Sequence, residues 1–452
     1  MRVIRTSVAH GLRLTGVALG LVCVQQGAMA IDAFVTGKPY DLTVNVGGNY
    51  VAGSDTITSG TSSSPLGFTS VSDLFAKSTD AGLNQVNPLY NTNSAAVIRF
   101  GYRGLPIVLQ TYDLTGAAIA VSAGLNVSTT SVSLLIPGLS LQPIIFNAQS
   151  TRDANVEDLK TFLKNSGGDI LNRLQQLLVK QSAIDPIAGN PSSMQSRMVS
   201  DDFDRNFTQF ATNIRDVGGP IDGGTVNNLV GIGISYGNYS QAGLNSSVVT
   251  LPLSYTFRPD LNPSRQLTIY APITVTEVAG AKSYGINLGA SYRLPINDNW
   301  ALTPAFGYGI SGSVDLGSAA AMMSASLTSQ YTLRMSSYDL AFGNMVGLYQ
   351  SSKFTAGDYS FDPQIRNTVY RNGVMASFPT NVMGRKMAFE VSYVNTIFTG
   401  TELYSNQTNE IGVTLGTNKG ANTARSYLRA GLTYLVGEKD IQGLRLNLGY
   451  WF

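Results

Sequence analysis

Two short patterns in this chain have the residue types and spacing of reactive loops. Gly233-Ile234-Ser235-Tyr236-Gly237 matches G-x-S-x-G, in which a serine on a sharp strand-to-helix turn attacks a carbonyl after a histidine takes its proton. Here it falls inside an alternating run, and the one histidine of the chain is His10. Gly307-Tyr308-Gly309-Ile310-Ser311-Gly312 matches G-x-G-x-x-G, but no helix opens after it to hold a phosphate on its N-terminus. Both read more simply as small residues of a twisted sheet. The one cysteine, Cys23, lies like His10 within the first 30 residues. Disulfides and Cys or His metal sites are therefore excluded from the rest. The sequence gives no reason to expect an enzyme, a catalytic residue, a cofactor or a metal.

Charged residues placed against an apolar alternation are the more informative set. Arg293, Arg334, Arg429 and Arg445, with Asp339 and Glu390, all stand one position away from the apolar parity of their segments. If the apolar face is outward, these six line a lumen. They then make a weakly anion-attracting pore, or, the weightier alternative, they pair with acids or with an inserted segment. The candidate insert is a helix over about 192–214, whose Phe203, Phe207, Phe210 and Ile214 recur at helical spacing beside Asp201, Asp202 and Asp204. A helix packed against periplasmic neighbours would show the same stripe.

The elements that position these residues are strands. From 229 onward apolar residues recur at every second position in twelve runs. Val230, Ile232, Ile234 and Tyr236 begin the series. Val249 to Phe257, Leu267 to Val275, Tyr284 to Leu294, and Leu302 to Tyr308 follow. Met323, Ala325, Leu327, Tyr331 and Leu333 form the sixth run, and Tyr338, Leu340, Phe342, Val346 and Leu348 the seventh. An eighth, around 365–378, is poorly patterned. Met387, Phe389, Val391, Tyr393 and Ile397 precede Ile411 to Leu415, Leu428 to Val436, and Leu444 to Phe452. Successive strand residues point to opposite faces, and a closed sheet satisfies every backbone group without water. One face can then meet lipid while small and polar residues surround a lumen. Lumenal Gly289 and Thr433 should accordingly accept serine, whereas Leu288 and Leu432 should not accept arginine. A soluble β-sandwich also alternates, but rarely sustains a dozen long strands with charged residues at only 13%.

Residues before the barrel differ. Segments 31–148 hold strand-like pieces (Leu42 to Tyr50, Ala95 to Tyr102, Pro106 to Tyr112, Ser131 to Phe146) without a fixed repeat. Segments 149–225 turn helical, with helices near 151–163, 170–178 and 192–214, and a glycine-rich joint at 217–224. Residues 1–30 carry Arg2, Arg5 and Arg13, an apolar core from Leu14 to Val24, and Ala28-Met29-Ala30, the pattern of a cleaved signal peptide. Taking these three arginines from the 30 basic residues leaves 27 against 28 acidic ones in 31–452, which suggests no nucleic-acid partner. The expected fold is mainly β: a transmembrane antiparallel barrel of about twelve strands over 226–452, behind a smaller α+β region, in a bacterial outer membrane.

The last run, with Leu446, Leu448, Tyr450 and Phe452 alternating to an aromatic end, resembles the terminal recognition strand of outer-membrane proteins. A signal peptide, an N-terminal region, a helix and a terminal barrel together resemble the layout of autotransporters, especially solitary autotransporter-type barrels. The resemblance covers 192–452 in layout and only the final strand in motif; there Asn447 stands where the pattern usually has glycine. It implies a helix threading the pore and a protein that anchors or displays its own N-terminal domain. Outer-membrane lipid, lipopolysaccharide and the barrel-assembly machinery would be its partners. The alternative is a porin-like channel with an N-terminal plug or periplasmic gate.

Overall fold

Alternation over 229–451 is realised as one closed circuit of strands. The computed structural model describes residues 34–452 except 48, 51–56, 59, 140, 166–167, 208–227, 260–264, 357–358, 362, 418–426 and 452. The expected signal segment, the glycine-rich joint, Phe210 and Phe452 therefore lie outside the described residues. The large sheet has fourteen antiparallel segments, but two strands are each split into a pair of segments, so the circuit has twelve.

In order these are Leu229–Gln241, Leu244–Leu251 with Leu253–Phe257, Gln266–Tyr270 with Ile273–Val278, Ala281–Pro295, Trp300–Ser313, Ser318–Arg334, Asp339–Ser352, Arg366–Val382, Arg385–Gly400, Gln407–Thr417, Tyr427–Gly437 and Gln442–Trp451. We call them strands 1 to 12. The two splits fall at Pro252 and at Ala271-Pro272, where proline has no N–H to give the ladder. The circuit closes where strand 1 pairs with strand 12, from Gly231 opposite Trp451 to Ser240 opposite Gln442.

The outward residues are the apolar ones. Ile232, Ile234, Ile269, Leu288, Met323, Val346, Ile411, Leu432 and Leu448 are all exposed, while their chain neighbours face the interior. Exposed aromatic residues sit in adjacent rows, as in Trp300 opposite Tyr331 and Tyr331 opposite Phe342, the interfacial girdle of a membrane barrel. An apolar exterior around a closed antiparallel sheet makes this a transmembrane barrel of the outer-membrane kind. No helix among the described residues is long and apolar enough to cross a membrane. The eighth strand is a full member, paired along its length with both neighbours; its pattern is poor in sequence because lumenal Val369 and Met375 are buried apolar residues.

The preceding region is a smaller α+β domain. Its antiparallel sheet runs Thr61–Ser62, Tyr40–Val46, Ala96–Tyr102, Leu105–Thr111, Val132–Leu135, Ile144–Phe146, with Leu66–Phe68 also on Tyr40–Val46. One core holds Tyr40, Leu42, Val44, Leu74, Leu83 and Phe100. Another sets Leu105, Leu134 and Leu139 against Leu159, Leu174 and Leu178 of helices Arg152–Asn165 and Gly168–Gln181. Short helices at Val71–Ala76, Asp80–Val86 and Leu114–Ser122 have no counterpart in the sequence reading. Each starts on a side-chain cap (Ser70, Thr79, Asp113) that accepts a backbone N–H.

One expectation is overturned. Gly289 is not an open lumenal position: the ring of Tyr270 lies on it, and an added Cβ would run into that ring. Gly289→Ser should therefore lower barrel stability, while Thr433→Ser leaves it unchanged. Leu432→Arg should cost about 2–4 kcal/mol near the bilayer midplane, and Tyr450→Asp, at the closing seam, should impair insertion. Heat-modifiable mobility in membrane fractions measures all four; equal folding of Leu432→Arg and Thr433→Ser would mean that the facing is misassigned.

Candidate functional site

The helix that the sequence placed near 192–214 runs from Met194 to Asn206 inside the barrel. Ser193 caps it by accepting from Ser196 N–H. Its apolar face, Met194, Met198, Val199 and Phe203 with Phe207 just beyond, is buried against Ala320, Met322, Ala341, Met345, Tyr349, Val369, Met375, Val394 and Phe398 of strands 6 to 9. Phe203 and Phe207 are fully buried at 0% exposure, and their rings occupy the room left by Gly343 and Gly373. A Cβ at either glycine would push the helix off the wall.

Charged groups tie the helix across the lumen. Tyr270 and Tyr349, on strands 3 and 7, both donate their hydroxyls to Asp202, at 2.8 and 2.9 Å. Arg205 pairs with Asp202 at 3.7 Å and stacks over the Tyr270 ring. Asp204 takes Arg445 at 2.9 Å and Arg371 at 3.4 Å, and both arginines also hold Glu410, at 3.0 and 2.9 Å. Arg197 reaches Thr276 on strand 3.

The six charged residues singled out in sequence do not form one set. Glu390 and Arg429 are paired with each other and buried. Arg445 meets the helix, and Arg293 donates to Gln330 at 2.8 Å. Arg334 and Asp339 share the lumenal parity but stand opposite each other at the rim, where Arg334 donates to the Asp298 carbonyl. Arg371, Glu410, Tyr270 and Tyr349 went unnoticed; strand parity alone places Glu410 inward, beside Ile411 and Val413. Ser235 lies mid-strand opposite Thr250 and Asn447, with no strand-to-helix turn around it.

The helix fills one side of the lumen only. Lumenal positions on strands 4 to 8 are mostly buried, whereas Ser235, Thr414, Gly431, Asn447 and Gly449 keep solvent access. Between that wall and the polar helix face of Ser196, Arg197, Ser200, Asp201 and Asp204 lies a cavity of about 180 Å³. An apolar collar of Tyr239, Val248, Leu435 and Ile441 stands near the end of the barrel that meets the N-terminal domain.

That end is sealed. Every residue from 182 to 195 is buried, although the segment is largely coil, so its polar groups must be satisfied internally. Asn190 shares this task with the Asp185 carboxylate, donating to Asp185 O and accepting from Ser192 N–H. That carboxylate accepts from Ile187 and Ala188 N–H, from Gln175 at 2.9 Å and from Arg103 at 3.1 Å. Arg103 and Gly104 both adopt positive φ in the tight turn between Ala96–Tyr102 and Leu105–Thr111. Burial pushes the Asp185 carboxyl up, although Arg103 pulls it down. Burial opposes the Arg103 charge, but Tyr102 and Asp185 outweigh it and leave the guanidinium above its usual range. Barrel loops close the joint: Tyr404 N–H donates to Val179 O, Ser405 N–H to Gly189 O, and Val71 N–H to Asp315 O.

No family model matches the chain, and no curated protein does. Among solved structures, the β domain of the Bordetella autotransporter BrkA is 13% identical, covering 50% of this chain and 98% of its own, at a TM-score of 0.40. The translocator domain of the autotransporter NalP from Neisseria meningitidis is 12% identical over 57% and 96%, at 0.42. An outer membrane channel from Pseudomonas putida F1 is 12% identical over 50% and 95%, at 0.35. The barrel itself is established by its own closed circuit rather than by likenesses of this degree.

Removing one partner of a buried ion pair costs about 3–5 kcal/mol, so Arg103→Met should loosen the sealed end and expose 182–195 to protease. The intact protein should conduct little in a planar bilayer, and Asp202→Ala with Asp204→Ala should raise conductance several-fold. Deleting 31–216 should raise it further with a slight anion preference, since Arg293, Arg371, Arg429 and Arg445 then face Glu390 and Glu410 among the described lumenal residues. Unchanged conductance after that deletion would remove the helix from the lumen.

Proposed function

We propose that this outer-membrane barrel is an autotransporter-like anchor that holds its own N-terminal domain on the outer face of the membrane. The observation that carries the reading is the path of the chain. Strand 1 begins and strand 12 ends at one face of the barrel, as an even strand number requires, while the N-terminal domain covers the other face. The helix Met194–Asn206 carries the chain from the domain's face into the lumen.

Two points support placing the domain outside, and a third its retention. A barrel chain delivered from the periplasm keeps its strand ends there, because only hairpins then need to cross. Long loops of such barrels are extracellular, and the longest described connection, 353–365, lies on the domain's face. The buried segment 182–195 leaves no exposed link at which the domain would be shed, which suits retention rather than release. The domain then acts as a fixed cap, and the ion-paired helix is the stay that holds it.

A gated channel is the second reading, favoured by the unfilled cavity beside the helix. Surface labelling separates the two. The one native cysteine is Cys23, so single cysteines can be introduced at Ala123, exposed on the N-terminal domain, and at Met383, 99% exposed in a hairpin turn at the opposite face. In intact cells a membrane-impermeant maleimide should label Ala123→Cys, and should label Met383→Cys only after the outer membrane is permeabilised. The reverse pattern would place the domain in the periplasm and leave the gated channel as the function.

A further inference from the structure

The apolar exterior of the barrel is interrupted at Ser329, Asn344, Asn372, Asn395 and Asn409. Each occupies a lipid-facing parity position: Ser329 between Leu327 and Tyr331, Asn344 between Phe342 and Val346, Asn372 between Tyr370 and Val374, Asn395 between Tyr393 and Ile397, Asn409 before Ile411. Exposed polar residues also stand at outward parity near the domain-side strand ends, as at Asn238 and Gln350, but these five are aligned. Ser329 is the register partner of Asn344, Asn344 of Asn372, Asn372 of Asn395, and Asn395 of Asn409. They form one unbroken polar row across strands 6 to 10.

The row is partly bonded within itself. Asn344 donates to Asn372 at 2.7 Å, and Asn395 to Asn409 at 2.9 Å. Tyr393 also donates to Asn409, and the Trp300 indole to Ser329. Each amide offers two donors and a carbonyl with two lone pairs, so this use leaves capacity facing outward, and Asn344 and Asn372 are exposed. Hydrocarbon chains can meet none of it. Headgroups do not reach the middle of the row, since Asn372 lies six residues inside the strand Arg366–Val382, with Thr368 and Tyr370 on one side and Val374 and Ala376 on the other. The amides cannot turn inward, because alternation fixes their face.

We propose that this row is the contact surface between two copies of the chain in the membrane. A two-fold axis brings the same row against itself, and an amide, being donor and acceptor together, is its own complement. Polar side chains at matching depth hold membrane-embedded surfaces together in this way. The inference needs only the barrel in its membrane, and stands whichever side the N-terminal domain occupies.

Full-length protein carrying Asn372→Cys tests it, with Val249→Cys, lipid-facing on strand 2, as the control wall. Mild oxidation in native membranes should give a disulfide-linked dimer for Asn372→Cys at least ten-fold more than for Val249→Cys. Mass measurement in lipid nanodiscs should find the unmodified protein dimeric, and the triple substitution Asn344→Leu, Asn372→Leu, Asn395→Leu monomeric with unchanged heat-modifiable folding. Equal cross-linking at the two positions, or a monomeric unmodified protein, would falsify the proposal.

Discussion

A backbone amide in hydrocarbon has no water to turn to, and the whole molecule is arranged around that constraint. Every N–H and C=O at membrane depth must find a strand neighbour, so the sheet has to return on itself. It does so where strand 1 meets strand 12, through ten register pairs from Gly231 to Ser240. Glycine is frequent on the lumenal side of that seam, at 231, 233, 237, 443 and 449. There it admits the rings of Trp451 and Tyr239 against the wall, and aromatic cover over glycine lets a sheet curve without leaving voids.

Closure creates a second problem, a lumen wider than side chains alone can fill. The chain answers with its own helix, and the wall is asymmetric to receive it. Strands 6 to 9 turn methionines, valine and small residues inward, so Met198, Val199 and Phe203 pack there as in a soluble core. Methionine suits the task because its flexible thioether fills irregular gaps. The opposite wall keeps glycine, serine, threonine and arginine, and the helix turns its charged face to it across open space. The helix is thus held by apolar contact on one side, while Asp202 and Asp204 each reach both walls, Tyr349 and Arg371 on strands 7 and 8, Tyr270 and Arg445 on strands 3 and 12. Neither wall alone would fix both its depth and its rotation.

The buried charges belong to the same arrangement. Asp204, Arg371, Glu410 and Arg445 alternate in sign and share partners, which makes desolvated charge tolerable. Asp185 plays the corresponding role at the sealed end, where it satisfies two backbone N–H groups, Gln175 and Arg103 at once. A carboxylate with several donors can stay buried where a carboxylate with one could not. It ties the α+β domain to the buried segment after it, and that segment in turn accepts Ser405 N–H from a barrel loop at Gly189 O, which suits an anchor that keeps its domain.

Period two in the residues after 229 determined the barrel by itself, the poorly patterned eighth strand apart, because a sheet between lipid and lumen has to alternate. Helical spacing of Phe203 and Phe207 likewise specified a helix whose apolar face wanted a partner. Sequence did not determine the partners, because a one-dimensional pattern carries parity but not register. Register decided that Asp204 meets Arg445 and Arg371, that Tyr270 lies on Gly289, and that Arg334 and Asp339 stop at the rim. It also aligned five separate defects in the apolar period, at 329, 344, 372, 395 and 409, into one continuous, partly hydrogen-bonded row. The short capped helices of the N-terminal domain were illegible for a related reason: at six to nine residues they are too brief to show a period and are stabilised by the sheet they pack on.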